Sequence, residues 1–202
     1  MAQEHLAQNI IELYQKHARE WIELRGKGLS EKVWLDRFLS LLPSSANILD
    51  LGCGSGQPIA AYFIAQGYQI TGVDASDQMI EAARLSFPKQ VWVQQDFREY
   101  LTGHKFQGIL AWDSFFHLTP DDQRKMFKRF AKYAQSGTAL MFSSGPEQGE
   151  AIGLLCGEPL YHASLSAEEY QTLLQDNGFK LIKMIAEDIE CTGHTIWLAQ
   201  YR

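Results

Sequence analysis

The chain has 202 residues, of which 46% are hydrophobic and 12% aromatic, enough for one ordinary domain with a substantial core. Its net charge of -6, without a basic stretch, makes nucleic acid a poor default partner. Three cysteines lie far apart without a CxxC pair, which argues against a zinc site or a disulfide framework. The sequence also lacks a secretory signal and any apolar stretch of about 20 residues that could span a membrane. We therefore expect a cytoplasmic protein without a metal and without a membrane partner.

The N-terminal region is expected to be helical. Apolar residues at three- and four-residue steps predict a helix over residues 4–24, and a second helix over residues 31–42 precedes Pro43. Strands and helices then alternate with short connections, which predicts a parallel sheet with helices on both faces. The predicted strands cover residues 47–51, 68–74, 91–96, 106–113 and 138–144, and the helices between them cover 58–66, 76–87 and 121–134.

The C-terminal region closes the domain with a helix and two strands. A helical pattern covers residues 167–178, and strands over residues 179–188 and 194–202 follow with almost no chain between them. Such neighbouring strands should form an antiparallel hairpin at the sheet edge. Residues 143–165 show no clear periodicity and contain four glycines and two prolines. We predict a functional loop there, because it leaves the end of a strand where open α/β sheets bind ligands.

Residues 48–58, ILDLGCGSGQP, place a glycine turn directly after the first strand of this sheet. Free N–H groups at the start of the following helix would attract an anionic or nucleotide ligand. The glycines Gly52, Gly54 and Gly56 step by two, whereas the dinucleotide fingerprint needs steps of two and three. The turn also lacks the lysine of a P-loop. A nicotinamide oxidoreductase and a P-loop protein are therefore disfavoured.

With Asp50 directly before these glycines, the chain resembles the class I S-adenosylmethionine-dependent methyltransferases, whose first motif is an acidic residue followed by Gly-x-Gly-x-Gly. Asp74 in GVDAS and Asp96 in QQDF match the acidic residues at the ends of the family's second and third strands. The resemblance is strong over residues 40–142 and extends to a subgroup of small bacterial methyltransferases. It implies an α/β, Rossmann-like doubly wound sheet of order 3-2-1-4-5-7-6, with strand 7 antiparallel and N-terminal helices as a lid.

The resemblance also implies a set of residues that bind S-adenosylmethionine and its product S-adenosylhomocysteine. Asp74 would hold the ribose hydroxyls, Asp96 the adenine amino group, and Asp50 the methionine end. In the lid, Tyr14 would face the sulfonium and Arg25 would pair with the methionine carboxylate, although ordinary helix packing explains both residues equally well. The implied cofactor residues are Asp50, Gly52, Gly54, Gly56, Asp74, Ala75, Met79, Asp96, Phe97, Trp112, Tyr14 and Arg25.

Candidate catalytic residues flank the end of the fourth strand. Asp113 and His117, in AWDSFFHL, would lie beside the methyl group, with His117 either a base or a structural histidine. Phe116, Tyr161 and His162 are candidate contacts of the methyl acceptor, and the last two could instead anchor the loop. His194, just before the last strand, is interpreted mainly as structural.

We expect one methyltransferase domain over residues 1–202 that acts on a small molecule by direct in-line displacement. Its parts would be a lid (1–42), a cofactor-binding core (46–142), a substrate loop (143–165), and a closing helix and β-hairpin (166–202). The fourth strand lacks the Asn-Pro-Pro-Tyr or Asp-Pro-Pro-Tyr motif of amino-methylating enzymes acting on adenine or glutamine. A methyltransferase acting on protein or RNA, and a non-catalytic S-adenosylmethionine-binding protein, remain alternatives.

Overall fold

The structure, a computed structural model, describes residues 2–202. Helices and strands alternate through the middle of the chain, as the sequence predicts. The helices are α1 (Ala2–Gln8), α2 (Ile10–Lys16), α3 (Ala18–Arg25), α4 (Lys32–Leu39), α5 (Ile59–Ala65), α6 (Asp77–Ser86), α7 (Pro120–Tyr133) and α8 (Ala167–Asp176). The strands are β1 (Asn47–Leu51), β2 (Gln69–Asp74), β3 (Val91–Gln94), β4 (Phe106–Ala111), β5 (Ala134–Ser144), β6 (Gly149–Leu155), β7 (Glu158–Ser164), β8 (Phe179–Asp188) and β9 (His194–Tyr201).

Seven of these strands form one sheet in the order β3-β2-β1-β4-β5-β9-β8. Strands β1 to β5 pair in parallel, and β9 runs antiparallel to both β5 and β8. Strands β6 and β7 lie outside this sheet, so the predicted order 3-2-1-4-5-7-6 with an antiparallel strand 7 is confirmed. The strand order reverses between β1 and β4, and the carboxyl ends of these two strands therefore border a crevice.

Apolar layers cover both faces of the sheet, and successive strand residues alternate between them. In β4, Ile109 packs with α7 and α8, whereas Leu110 packs on the opposite face with α4, α5 and α6. In β1, Leu49 and Ile48 divide between the two layers in the same way. Because successive side chains of a strand point to opposite faces, a strand covered on both faces is apolar throughout. This arrangement explains the short apolar runs that predicted the strands.

Residues 143–165 do not form the predicted loop, because most of the segment is an antiparallel hairpin of β6 and β7. The hairpin reverses at Cys156 and Gly157, whose φ angles of 51° and 84° are both positive, as a type I′ turn requires. Cys-Gly is not the Asn-Gly or Asp-Gly pair that marks such turns, and the glycines 149 and 153 weaken the strand pattern. The predicted conformation was therefore wrong, and the role of the segment in acceptor binding stays a prediction.

The predicted helix over residues 4–24 is divided into α1, α2 and α3. The divisions fall at Asn9 and His17, and helical hydrogen bonds continue across both of them. Two small apolar clusters join α1 and α2 to the β6–β7 hairpin. The N-terminal helices and the hairpin therefore form one cover over the edge of the central sheet.

The sequence predicts no membrane-spanning segment, no metal site and no disulfide framework. Within residues 2–202, no helix is both long and apolar enough to cross a membrane. The same part of the chain holds no group of three or more His, Cys, Asp or Glu side chains placed to bind a metal ion. Cys53 and Cys191 are buried and Cys156 is exposed, and all three are free thiols. The predicted independence from metal stays a prediction.

Candidate active site

A cleft opens at the carboxyl ends of β1, β2 and β4, beneath the N-terminal helices. It encloses about 1170 Å³ of space between the protein atoms, with the open solvent at its mouth included. All the residues implied for cofactor binding line this cleft, together with Asp113 and His117. The implied cofactor residues in its walls are Tyr14, Arg25, Asp50, Gly52, Gly54, Gly56, Asp74, Ala75, Met79, Asp96, Phe97 and Trp112.

The glycine loop forms the floor of the cleft, and Gly52 cannot carry a side chain there. Its φ of 78° lies in the left-handed region, and an added Cβ would lie 2.2 Å from the Ser114 Cβ. Ser114 is itself fixed, because its hydroxyl donates to the Leu51 carbonyl at 2.6 Å. The Gly52 N–H donates to the Val73 carbonyl at 2.8 Å. The loop is thus held between two strand ends, with its backbone open to the cleft.

Asp74 holds the loop from the end of β2. Its Oδ2 accepts the Gly54 N–H and its Oδ1 accepts the Ser76 N–H, both at 2.9 Å. Burial raises the pKa of Asp74, and these backbone hydrogen bonds oppose the rise because they favour the carboxylate. Each carboxylate oxygen keeps a further lone pair that can accept from a ligand.

Asp50 is a buried carboxyl group on the same wall and is only 4% exposed. Within residues 2–202 its side chain makes no hydrogen bond. Burial and the nearby Asp74 carboxylate raise the pKa of Asp50 to about 7 from its usual 3.8. A buried acid without a partner is costly, and a ligand that brings a donor or a positive charge would satisfy it.

Residues beside the glycine loop fit a flat, apolar group. Met79 is 1% exposed, and the Phe97 ring lies 3.7 Å from an added Cβ at Gly52. Asp96 is gripped by Arg98, whose Nε and Nη2 donate to Oδ1 and Oδ2 at 3.0 and 2.6 Å. A ligand amino group would therefore share the Asp96 carboxylate with this guanidinium.

Arg25 lines the cleft, but its guanidinium already has protein partners. Nη2 donates to the Glu31 carboxylate, which is 1% exposed, and Nη1 donates to the Gly28 carbonyl at 3.1 Å. A ligand carboxylate would have to share Arg25 with Glu31. The pairing of Arg25 with the methionine carboxylate therefore stays a prediction that must accommodate this buried ion pair.

His117 occupies the wall opposite the glycine loop, and both of its ring nitrogens are engaged. Nδ1 lies 2.8 Å from the Tyr161 carbonyl oxygen, which can only accept, so Nδ1 carries the proton. Nε2 then accepts from the Tyr14 hydroxyl at 3.0 Å. Burial lowers the pKa of His117 to about 4, whereas burial and the nearby Asp113 and Asp74 carboxylates raise the pKa of Tyr14. The pair is neutral, and it ties α2 to the end of β4.

Asp113 stands beside this pair with a left-handed φ of 49°. Its N–H donates to the Ser143 hydroxyl at 2.8 Å, and its Oδ1 lies 2.9 Å from His194 Nε2. The Trp112 ring stacks on His194 with ring centroids 5.3 Å apart. His194 is the residue that the sequence interpretation did not place in the site. Only the insertion of β9 beside β5 brings it to Asp113.

The three predicted acceptor contacts do not line the cofactor cleft. Phe116 and His162 line a second, more open cleft at the base of the β6–β7 hairpin, where their rings lie 5.2 Å apart. His162 also lies 4.9 Å from the His117 ring. Tyr161 is 1% exposed, and its hydroxyl donates to Glu150 at 2.8 Å. This contact fits an anchoring role for Tyr161.

The chain resembles methyltransferases in both its sequence and its fold. A family model for a methyltransferase domain matches residues 28–184. An O-methyltransferase from Pyrenophora dematioidea is 26% identical over 77% of this chain and 62% of its own length. The O-methyltransferase resE from Aspergillus sclerotiorum is 28% identical over 70% of this chain and 58% of its own. The chain thus matches less than two thirds of the length of these two relatives.

Solved structures share the fold. Magnesium protoporphyrin IX methyltransferase from Synechocystis PCC 6803, crystallised with bound S-adenosylmethionine, superposes with a TM-score of 0.75 at 17% identity, covering 98% of this chain and 97% of its own. The 1,6-didemethyltoxoflavin-N1-methyltransferase from Burkholderia thailandensis gives a TM-score of 0.73 at 18% identity, covering 97% and 87%. At this identity the likeness concerns the fold.

Proposed function

The chain belongs to the family of methyltransferase domains, and on this premise we propose that it transfers the methyl group of S-adenosylmethionine to a small molecule. The observation that carries the proposal is the acidic wall formed by Asp50 and Asp74 around an open glycine loop. The wall offers carboxylates to a ligand rich in hydroxyl and cationic groups. S-adenosylmethionine combines both, with a ribose diol, an ammonium group and a sulfonium.

The residues of the cleft fit this cofactor from one end to the other. Asp74 keeps lone pairs for the two ribose hydroxyls, and Asp50, which has no partner within residues 2–202, suits the ammonium of the methionine part. Met79 and Phe97 offer an apolar surface for adenine, with Asp96 beside them. Tyr14, Arg25 and Trp112 would enclose the methionine end. We assign the remaining implied residues, Gly52, Gly54, Gly56 and Ala75, to backbone contacts.

When bound, the cofactor would supply a methyl group activated by its sulfonium, with the neutral thioether of S-adenosylhomocysteine as the leaving group. The chain's main task is to hold the two reactants in line and away from water, and such alignment can lower a barrier by roughly 7–11 kcal/mol. The cover of N-terminal helices and hairpin would exclude water. A base is needed only where the nucleophile begins protonated.

The two candidate catalytic residues then take different roles. Asp113 presents a carboxylate to the cleft and can accept a hydrogen bond or a proton from the acceptor. His117 is neutral, but its Nε2 lone pair is directed at the Tyr14 hydroxyl, so it accepts a proton from the acceptor only after Tyr14 has moved. We therefore assign His117 to orienting Tyr14, and Asp113 to the acceptor.

The acceptor would approach from the second cleft, past Phe116 and His162. A small molecule is favoured because the cover formed by α1, α2 and the hairpin leaves little width for a macromolecule, and the net charge of -6 disfavours nucleic acid. The proposal includes a cytoplasmic location, which the three free cysteines support.

A thermal-shift comparison of S-adenosylmethionine, S-adenosylhomocysteine, NAD and ATP tests the cofactor. A ligand at a hundred times its dissociation constant stabilises the folded state by about 2.7 kcal/mol, so the first two ligands should raise the melting temperature clearly. A shift with NAD alone, or no shift with any of the four, would refute the proposal. A panel of small-molecule acceptors, with S-adenosylhomocysteine release as the readout, would then identify the substrate.

A further inference from the structure

Neighbouring residues hold both the backbone and the side chain of Asp113 in place. Its backbone lies in the left-handed region, which a non-glycine residue adopts only when its surroundings impose it. The Ser143 hydroxyl accepts its N–H, and His194 Nε2 contacts Oδ1 at 2.9 Å. The side chain keeps 26% of its surface exposed, and within residues 2–202 its Oδ2 makes no hydrogen bond. One oxygen is clamped and the other is available in the cofactor cleft.

His194 is committed on both ring nitrogens. Nδ1 lies 2.8 Å from the Cys191 carbonyl oxygen, which can only accept, and 3.0 Å from the Thr192 hydroxyl, which can donate or accept, so the shorter contact favours a proton on this nitrogen. Nε2 faces the Asp113 carboxylate, which also accepts. An imidazole that donates on both sides is an imidazolium. The hydrogen bond with Asp113 raises the pKa of His194, and the buried Glu31, itself paired with Arg25, acts in the same direction.

Because both nitrogens are used, His194 cannot take a proton from an acceptor. Its ring meets residues of the cofactor cleft through the hydrogen bond with Asp113 and the stacking on Trp112, and only the first of these can orient a carboxylate. Cys191 belongs to a 3-10 turn between β8 and β9, and the Trp112 ring stacks on the imidazole from the cleft side. The pair therefore connects the turn before β9 to the end of β4.

We propose that His194 is a positioning residue, which fixes the Asp113 carboxylate beside the transferable methyl group. This inference rests on the proposed function, because the cofactor defines where the methyl group lies. Asp113 would use its free Oδ2 to orient the nucleophile of the acceptor. A positive group placed where the methyl group sits should feel this carboxylate directly.

Sinefungin provides that positive group. It is an analogue of S-adenosylhomocysteine in which a carbon bearing an amine replaces the sulfur, so the amine occupies the position of the methyl group. Isothermal titration calorimetry should show that the wild-type protein binds sinefungin at least about tenfold more tightly than S-adenosylhomocysteine, since a hydrogen bond between charged groups is worth that ratio. Asp113→Asn should abolish the preference.

Two substitutions at position 194 separate positioning from a merely structural role. The amide of His194→Gln can replace Nε2 and still donate to Asp113, whereas the amide of His194→Asn can replace Nδ1 and still donate to the Cys191 carbonyl. We expect the preference for sinefungin to persist in the glutamine variant and to fall by about tenfold in the asparagine variant. If His194 is merely structural, the preference for sinefungin stays unchanged in both variants. The asparagine variant, which keeps the contact with the Cys191 carbonyl, then has the higher melting temperature of the two.

Each outcome decides the matter. An unchanged preference in His194→Asn, or no preference in the wild type despite binding of S-adenosylhomocysteine, overturns the inference and leaves the proposed function standing. No binding of S-adenosylhomocysteine overturns both.

Should His194→Asn fail to fold, nitrogen NMR of the wild-type imidazoles in the S-adenosylhomocysteine complex decides. His194 is assigned by the signal lost in His194→Gln. A proton on Nε2 at neutral pH supports the inference, and an unprotonated Nε2 overturns it.

Discussion

The two sides of the cofactor cleft are built in different ways. The cofactor wall, defined by Asp50, the glycine loop and Asp74, uses residues close together in the chain and relies on backbone hydrogen bonds. The acceptor wall consists of Tyr14, Asp113 and His117, which Tyr161 and His194 hold from outside the cleft, and it relies on contacts between side chains or from a side chain to a distant carbonyl. Gly54 and Asp74 lie 20 residues apart, whereas Tyr14 and His117 lie 103 apart and Asp113 and His194 lie 81 apart.

The cofactor wall therefore depends on contacts within one part of the chain, whereas the acceptor wall depends on contacts between distant parts. The hydrogen bonds of the cofactor wall belong to the pair of strands β1 and β2 and to the turns that follow them. The acceptor wall is complete only when α2, β4, β7 and β9 have all docked. Substitutions on the two walls should therefore have distinguishable effects.

The largest expected effect comes from Gly52→Ala on the cofactor wall. The new Cβ would collide with Ser114 at a positive φ, and we expect a loss of about 2–5 kcal/mol in the free energy of unfolding. Gly54→Ala is the matched control, because its φ is also positive, at 53°, but the nearest atom, Met79 Sδ, lies 4.0 Å away. It should cost only about 1–2 kcal/mol. If urea unfolding shows that both variants lose the same free energy of unfolding, the close approach of Ser114 does not contribute to the loss.

A smaller effect is expected from Asp74→Ala, which should weaken S-adenosylhomocysteine binding by more than about tenfold. Part of that loss would come from the loop, since Asp74 also accepts the Gly54 and Ser76 N–H groups. The 2′-deoxy analogue of S-adenosylhomocysteine isolates the ribose contact. It should bind the wild type more weakly than the parent ligand, and the difference should vanish in Asp74→Ala.

The exposed Glu81 on the same helix as Met79 gives a control for that experiment. Glu81→Gln removes an acid outside the cleft and should leave calorimetric affinities for both ligands unchanged. A persistent difference between the two ligands in Asp74→Ala would contradict the ribose assignment.

The smallest effects are opposite pH dependences on the two walls. The pKa of Asp50 is raised to about 7, so the stability from this group is full below its usual pKa of 3.8 and is lost as the pH rises toward 7. The pKa of His117 is lowered from 6.5 to about 4, so its contribution is lost as the pH falls through that range. The two contributions oppose each other in the ligand-free protein.

Substituting either residue should reveal the pH dependence that the other residue contributes to the free energy of unfolding. Between about pH 4 and 7, the free energy of unfolding of Asp50→Asn should rise with pH more steeply than that of the wild type, and the curve of His117→Gln should tilt the other way. Urea unfolding across this range measures both slopes. Parallel curves for the two variants would mean that burial does not shift the pKa of Asp50 or of His117 as described.

The same contrast explains how much the sequence could predict. The parallel sheet followed from the alternation of strands and helices, whereas its strand order and the roles of the residues around the glycine loop were implied by the resemblance to class I methyltransferases. His194 was not placed in the site, because the strand order does not specify the contacts of its ring with Asp113, the Cys191 carbonyl and Trp112. His117 was predicted as either a base or a structural residue, and the carbonyl of Tyr161 that fixes its tautomer lies on a hairpin whose Cys-Gly turn carries no sequence signal.

The β6–β7 hairpin is paired with itself and not with the central sheet. Its exposed turn at Cys156 and Gly157 is therefore a place where the chain can grow without shifting any other register. Adding one residue to each strand at this tip creates a new cross-strand pair and leaves every pair below it unchanged. A change in the length of the hairpin at this tip would therefore leave the glycine loop of the same domain unaltered.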